Sequence, residues 1–146
     1  MTDPRHEVHI LLVEDDPGDV LMTQEAFKHH RIRNPLHVVN DGAAVLRFLR
    51  REGEHTGATR PGLILLDLNL PLMNGREVLA EIKSDEELRS IPVVVLTTSQ
   101  AEEDIVRSYN LHANAYVTKP VDFTCFMEVI RQIDNFFVTV VRHPTR

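Results

Sequence analysis

Residues 63–71 read LILLDLNLP: four apolar residues in a row, Leu63 to Leu66, and then an acid, Asp67. Such a run is too short for an ordinary helix, and it is apolar at odd and even positions alike. That pattern belongs to a strand covered on both faces, as in a parallel sheet. Val93–Leu96 repeats it. Working outward from these two, Val8–Val13, Leu36–Val39 and Ala115–Val117 supply three more short apolar runs, so five strands are predicted.

Amphipathic stretches separate the strands. The spacing predicts helices over about Asp19 to His30, Gly42 to Arg51, Arg76 to Lys83 and Glu102 to Tyr109, with a fifth starting at Asp122. The inward residues are Ala44, Val45, Phe48 and Leu49 in the second, Val78, Leu79 and Ile82 in the third, and Ile105, Val106 and Tyr109 in the fourth. Turn residues fall between the elements: Pro17-Gly18, Asn40-Asp41-Gly42 and Asn74-Gly75. Pro92 enters the fourth strand at its first position, and Asp122 can cap the fifth helix. Strands that alternate with helices make a doubly wound parallel sheet of the α/β class, with a ligand site at the carboxyl ends of the strands.

The chain has 146 residues, 42% apolar and 26% charged, the size and balance of one globular domain. Its formal charge of −6 repels nucleic acid and anionic membranes, so neither is an expected partner. Cys125 is the single cysteine, which excludes an intrachain disulfide and fits a reducing compartment. It lacks a basic neighbour and reads as packed rather than reactive. The apolar run Ile10 to Val13 is too short for a signal-peptide core or a membrane span, so the expected location is the cytoplasm.

The strand ends carry the chemistry. The first strand runs into Glu14-Asp15-Asp16, the third ends at Asp67, the fourth at Thr97-Thr98-Ser99 and the fifth at Thr118-Lys119-Pro120. In a parallel sheet these converge on one edge. Carboxylates a few ångströms apart repel by an amount on the order of kcal/mol per pair, so they stay ionised together only around a cation. Oxygen-only donors select a hard ion, and Mg²⁺ is the expected cofactor. Lys119 adds positive charge opposite the acids. Such a site suits a carboxylate that attacks phosphorus, with the cation and the ammonium neutralising phosphoryl oxygens and a hydroxyl donating a hydrogen bond. Asp67 follows the central strand and faces both acids and lysine. It is the expected nucleophile, and an acyl phosphate the product.

The order and spacing of LLVEDD (11–16), LLDLNLPLMNG (65–75), VVVLTT (93–98) and YVTKP (116–120) resemble the response-regulator receiver family, the CheY-like fold, over residues 8 to 135. The resemblance implies a flavodoxin-like (βα)5 sheet in strand order 2-1-3-4-5. It implies a single-domain response regulator of a two-component phosphorelay, taking its phosphoryl group from a sensor histidine kinase or a small phosphodonor. Asp67 matches the phosphoacceptor. Glu14 and Asp15 match the acidic pair at the metal, with Asp15 the direct ligand, and Asn69 matches the position whose backbone carbonyl binds it. Thr97 and Lys119 match the phosphoryl contacts. Thr97 and Tyr116 match the switch that alters the surface of the fourth helix, fifth strand and fifth helix. Lys119-Pro120 resembles a bond that is usually cis in the family. Asp16 has no implied role. Plainer readings stand beside these: Tyr116 as half-buried packing, Asn69 as a turn former, and the acidic run as a solvated turn.

The receiver is expected to span 8–137, with 138–146 continuing the last helix and no output module. In that helix Phe123, Phe126, Met127, Val129, Ile130, Ile133, Phe136, Phe137 and Val140 cover roughly 200°, against the roughly 100° that one packed face requires. The excess predicts a homodimer, with Phe126, Val129, Ile133, Phe136 and Val140 as its candidate contacts. In the alternative, Phe136 to Val141 leave the helix and fold back on the domain. The stretch Arg50 to Gly62 is polar and long for a helix-to-strand loop. Loop and ending together resemble a subgroup of small receivers, some of which partner phytochrome-type histidine kinases, bacteriophytochromes included.

Two other function classes compete. An aspartate-nucleophile phosphatase of the haloacid dehalogenase type needs a second acid two residues after the nucleophile, where this chain has Asn69. A stored signal is therefore expected rather than an enzyme's intermediate, with self-phosphorylation and dephosphorylation as its only chemistry. A flavodoxin-like flavin binder needs a hydroxyl- and glycine-rich loop after the first strand, where three acids stand. The eight histidines form no expected site. His6 and His9 point to opposite faces of a strand start, His29-His30 suit a helix's negative end, and none has ligand-like companions.

Overall fold

The computed structural model describes residues 8–29, 32–70 and 73–119, together with Thr124 and Glu128. The strands are β1 (Ile10–Val13), β2 (Leu36–Val39), β3 (Leu63–Asp67), β4 (Val93–Thr97) and β5 (Ala115–Thr118). The helices between them are α1 (Pro17–His29), α2 (Gly42–Leu49), α3 (Gly75–Ser84) and α4 (Gln100–Ser108). The sheet runs β2-β1-β3-β4-β5 with every pair parallel, which is the expected topology.

Every residue of β1, β3 and β4 is buried, and that double coverage is why these strands read as continuous apolar runs. Side chains alternate between two cores. Leu11, Val13, Ile64, Leu66, Val93 and Val95 pack with α2, α3 and Val106 of α4. Ile10, Leu12, Leu63, Leu65, Val94, Leu96 and Val117 pack on the other face with Phe27 of α1. Burying each such Leu, Ile or Val side chain stabilises the fold by about 1.5–3 kcal/mol.

Helix starts are set by caps. The α1 helix begins at Pro17 rather than Asp19, because Asp16 Oδ1 accepts from the N–H of Gly18 (2.8 Å) and of Asp19 (3.4 Å), and proline suits the first helical position. Asp41 caps α2 through Ala44 N (2.7 Å), Asn74 caps α3 through Glu77 N (3.0 Å), and Ser99 caps α4 through Glu102 N (3.2 Å), two residues before the expected start. The α4 helix also corrects the expected inward face. Only Val106 is buried, while Ile105 and Tyr109 are 55% and 56% exposed. The helix meets the sheet along a narrow stripe, and Tyr109 instead carries the Arg76 guanidinium 4.8 Å from its ring.

The long polar loop after α2 holds a 3-10 turn over Gly53–His55. It is tied down by Arg60, which donates to Glu87 O (2.6 Å) and Ser90 Oγ (3.1 Å). Thr124 and Glu128 are helical. The helix start at Asp122, the candidate dimer contacts Phe126, Val129, Ile133, Phe136 and Val140, the Lys119-Pro120 bond and Cys125 lie outside the described residues. Among the described residues, no helix is long and apolar enough to cross a membrane.

Candidate functional site

Parallel register brings the strand ends together. Val13 pairs with Leu66, Asp67 with Leu96, and Thr97 with Thr118. Glu14, Asp67 and Lys119 thus emerge side by side, with Lys119 N bonded to Thr97 O at 2.7 Å. Gly75 lets α3 start directly against this edge. A Cβ there would lie 2.6 Å from both Asp67 O and Leu68 Cα, so only glycine fits.

One carboxylate oxygen from each of Glu14, Asp15 and Asp67 lies within 4.8 Å of the others. Glu14 and Asp67 are buried and Asp15 is exposed. Lys119 Nζ sits 2.9 Å from Glu14 Oε1, 2.9 Å from Asp19 Oδ2 and 3.5 Å from Asp67 Oδ2. Burial pushes the Asp67 carboxyl up, to about 7, helped by its hydrogen bond with Glu14 and by repulsion from it; Lys119 and the Asn69 N–H pull the other way. Burial alone would lower the Lys119 ammonium, but hydrogen bonds to Glu14 and Asp19 and the charges of Asp67 and Glu14 raise it. One ammonium against these carboxylates leaves the edge short of positive charge. Donors that are all oxygen and this close together suit Mg²⁺.

Of the other expected residues, Thr97 and Asn69 stand at the same edge, whereas Tyr116 lies two positions back from it along β5. The Thr97 hydroxyl is buried with no hydrogen-bond partner among the described residues, an arrangement that calls for a ligand. The Asn69 backbone N–H donates to Asp67 Oδ1 (3.3 Å), while its side chain donates to Glu102 Oε2 (3.2 Å). Tyr116 is half-buried in β5, paired with Val95 and so on the Thr97 face of the sheet, with the Arg107 guanidinium 4.2 Å from its ring. Burial raises its phenol, Arg107 lowers it and Glu103 raises it.

Some participants escaped the sequence reading. Asp19 looks like an ordinary first-turn acid yet binds Lys119. Thr98 and Asp16, expected at the strand ends but given no role, line the cleft with Asp67, and Asp16 caps α1. Glu102 braces Asn69 and Thr98. The histidine reading also needs correction: His9 does have a companion, because parallel register brings His37 of β2 to 2.9 Å from it.

The family model of the response regulator receiver domain matches residues 10–131. Response regulator Rcp1 of Synechocystis sp. is 47% identical over 135 residues, 92% of either chain. The bacteriophytochrome response regulator RtBRR is similar in structure with a TM-score of 0.85 at 46% identity, over 95% of this chain and 84% of its own. The Mn²⁺-bound form of Rcp1 is similar with a TM-score of 0.73 at 46% identity, over 94% of this chain and 99% of its own. A match that runs from the first strand past the edge lysine shows that this chain belongs to the response regulator receiver family, in which phosphoryl acceptance with Mg²⁺ is typical.

Proposed function

We propose that Asp67 is the phosphoacceptor and that a sensor histidine kinase is its donor. The observation that carries this reading is Lys119, whose single ammonium reaches Glu14 and Asp19 at 2.9 Å and Asp67 at 3.5 Å. Glu14, Asp15, Asp67 and the Asn69 backbone carbonyl would hold Mg²⁺, which supplies the charge that lets an anionic phosphoryl group approach a carboxylate. An Asp67 carboxylate oxygen attacks phosphorus while the bond from phosphorus to the donor's imidazole nitrogen breaks. With acetyl phosphate the broken bond is P–O, and acetate leaves as the anion with no proton moved. Lys119 and Thr97 take the phosphoryl oxygens, and the Thr97 hydroxyl gains the partner it lacks. Tyr116, on the same face of the sheet, responds as Thr97 shifts, and the surface of α4, β5 and the last helix changes with it.

Asn69 stands where an aspartate-based phosphatase places its second acid, so the acyl phosphate is a stored signal. Similarity to a bacteriophytochrome response regulator supports a phytochrome-type kinase as the donor. The receiver unit spans 8–137, works in the cytoplasm, and pairs with a second copy through Phe126, Val129, Ile133, Phe136 and Val140.

Acetyl phosphate with Mg²⁺, followed by intact mass, adds one phosphoryl group to the wild type and none to Asp67→Asn. No added mass on the wild type defeats the assignment; added mass on Asp67→Asn moves the acceptor elsewhere.

A further inference from the structure

Two adjacent threonines at the end of β4 are treated differently. The Thr97 hydroxyl is buried and has no partner among the described residues. Both donors of Thr98 are taken, and by one carboxylate: Glu102 Oε1 accepts from Thr98 N at 2.9 Å and Glu102 Oε2 from Thr98 Oγ1 at 3.3 Å. The same Oε2 accepts from Asn69 Nδ2 at 3.2 Å. Thr98 and Asn69 also line the cleft that holds Asp67 and Lys119. Glu102 itself is fixed, since its N–H donates to Ser99 Oγ at the cap of α4. Its side chain departs from the usual capping box. There the third-position glutamate returns to the N–H of the cap residue; here it goes one residue further back, to Thr98, beside Asp67.

From this we infer that Glu102 is a positioning residue that competes with the incoming phosphoryl group, a conclusion that rests on Asp67 being the acceptor. Glu102 lines the neighbouring cavity, and its carboxylate occupies N–H and O–H donors of Thr98 and Asn69, two residues that line the acceptor cleft, so an incoming anion must compete with it for those donors. Phosphorylation displaces it from Thr98. Because Glu102 lies in the first turn of α4, the displacement loosens the bond between that turn and the end of β4, and it frees the Asn69 amide from α4 at the same moment. One carboxylate therefore links occupancy of the site to the start of the helix whose exposed face carries Ile105 and Tyr109.

The test measures phosphorylation by acetyl phosphate with Mg²⁺, by intact mass against time, for wild type, Glu102→Gln and Glu102→Ala, over a range of acetyl phosphate concentrations. Glutamine keeps an acceptor for Thr98 and removes the charge. Alanine removes both. The expected result is a half-saturating concentration about three- to tenfold lower in both variants, with the limiting rate unchanged. A brace that only holds the loops in shape would lower the limiting rate instead, and that result overturns the inference. So does an unchanged half-saturating concentration in both variants on a wild type that is phosphorylated. A wild type that takes up no phosphoryl group overturns the Asp67 assignment and this inference with it.

Discussion

The sheet has a lysine at each end. At the amino end, Lys83 of α3 donates to Arg89 O (3.0 Å), Ile91 O (2.9 Å) and Asn114 Oδ1 (3.3 Å). At the carboxyl end, Lys119 faces Glu14, Asp19 and Asp67. Burial lowers the Lys83 ammonium, since its partners are neutral and offset only part of the loss of water, whereas the carboxylates raise Lys119. The polar set around Lys83 is complete: its three N–H groups meet three acceptors, and Asn114 Oδ1 also receives the Val93 N–H at 2.9 Å. The set around Lys119 is incomplete, with surplus negative charge and the buried Thr97 hydroxyl, which has no partner among the described residues. A closed polar network holds structure; an open, charged one is ready for a cation and an anion.

Exchanging each lysine for a neutral side chain breaks or sharpens that contrast. Lys119→Met is expected to slow phosphoryl uptake from acetyl phosphate by about 100-fold or more, the usual consequence of losing one pre-set charge at a reacting centre. Lys83→Met is expected to keep the uptake rate and to lose about 1–3 kcal/mol of stability in urea unfolding, through carbonyls left without their donor. Comparable slowing by both variants would show that the two ends do not divide these roles. A smaller effect concerns the surplus charge. Asp67 has a folded pKa of about 7, above its ordinary value of 3.8. Between those values the native chain binds more protons at this carboxyl than the unfolded one, so the stability that Asp67 contributes is full below 3.8 and is lost as pH rises through about 7. At pH 8 without metal, Asp67→Asn should therefore raise the melting temperature by about 3–5 °C. Mg²⁺ should raise it in the wild type and not in the variant. Equal melting of the two metal-free proteins would remove repulsion from the account of this edge.

Local pattern made the open end legible. Strands β3 and β4 announce themselves because burial on both faces leaves no polar position, and Asp67 and Lys119 stand where such runs stop. The residues that stayed hidden have local readings that are true but partial. Asp19 is a first-turn acid, which suits any helix start, and its bond to Lys119 spans 100 positions. Glu102 fits the third position of a capping box, and only the placement of β3 beside β4 shows that it also holds Asn69. Asp16 merged with the acidic run and proves to be a cap. Lys83 looked like one more charge at a helix end, because its acceptors come from turns that the fold brings back. Ile105 and Tyr109 had helical spacing, but spacing gives a face and not the width of its contact.

His9 and His37 were hidden for the same reason, 28 residues apart and joined only by register. Their rings are nearly parallel, 10° between planes and 5.1 Å between centroids, with His9 Nδ1 2.9 Å from His37 Nε2. One nitrogen must donate and the other accept, so the contact exists only while one of the two facing nitrogens is unprotonated. Phe48 of α2 packs against His37, His55 packs against Phe48, and Glu54 stands 3.5 Å from His55. Burial and then the neighbouring His9 lower His37 from its ordinary value of 6.5. The native state therefore binds fewer protons here than the unfolded chain. The stabilisation is complete above 6.5 and is lost as pH falls below 6.5 toward the depressed value. His37→Gln should gain melting temperature at pH 5.5 relative to pH 7.5 when compared with the same difference in wild type, an effect smaller than that of Asp67→Asn because His37 is only half-buried. It should leave phosphoryl uptake unchanged, as the pair lies at the closed end of the sheet. A His37 ring titrating at or above 6.5 by NMR, or a difference in melting temperature between the two pH values that the substitution leaves unchanged, would show that the pair does not sense protons.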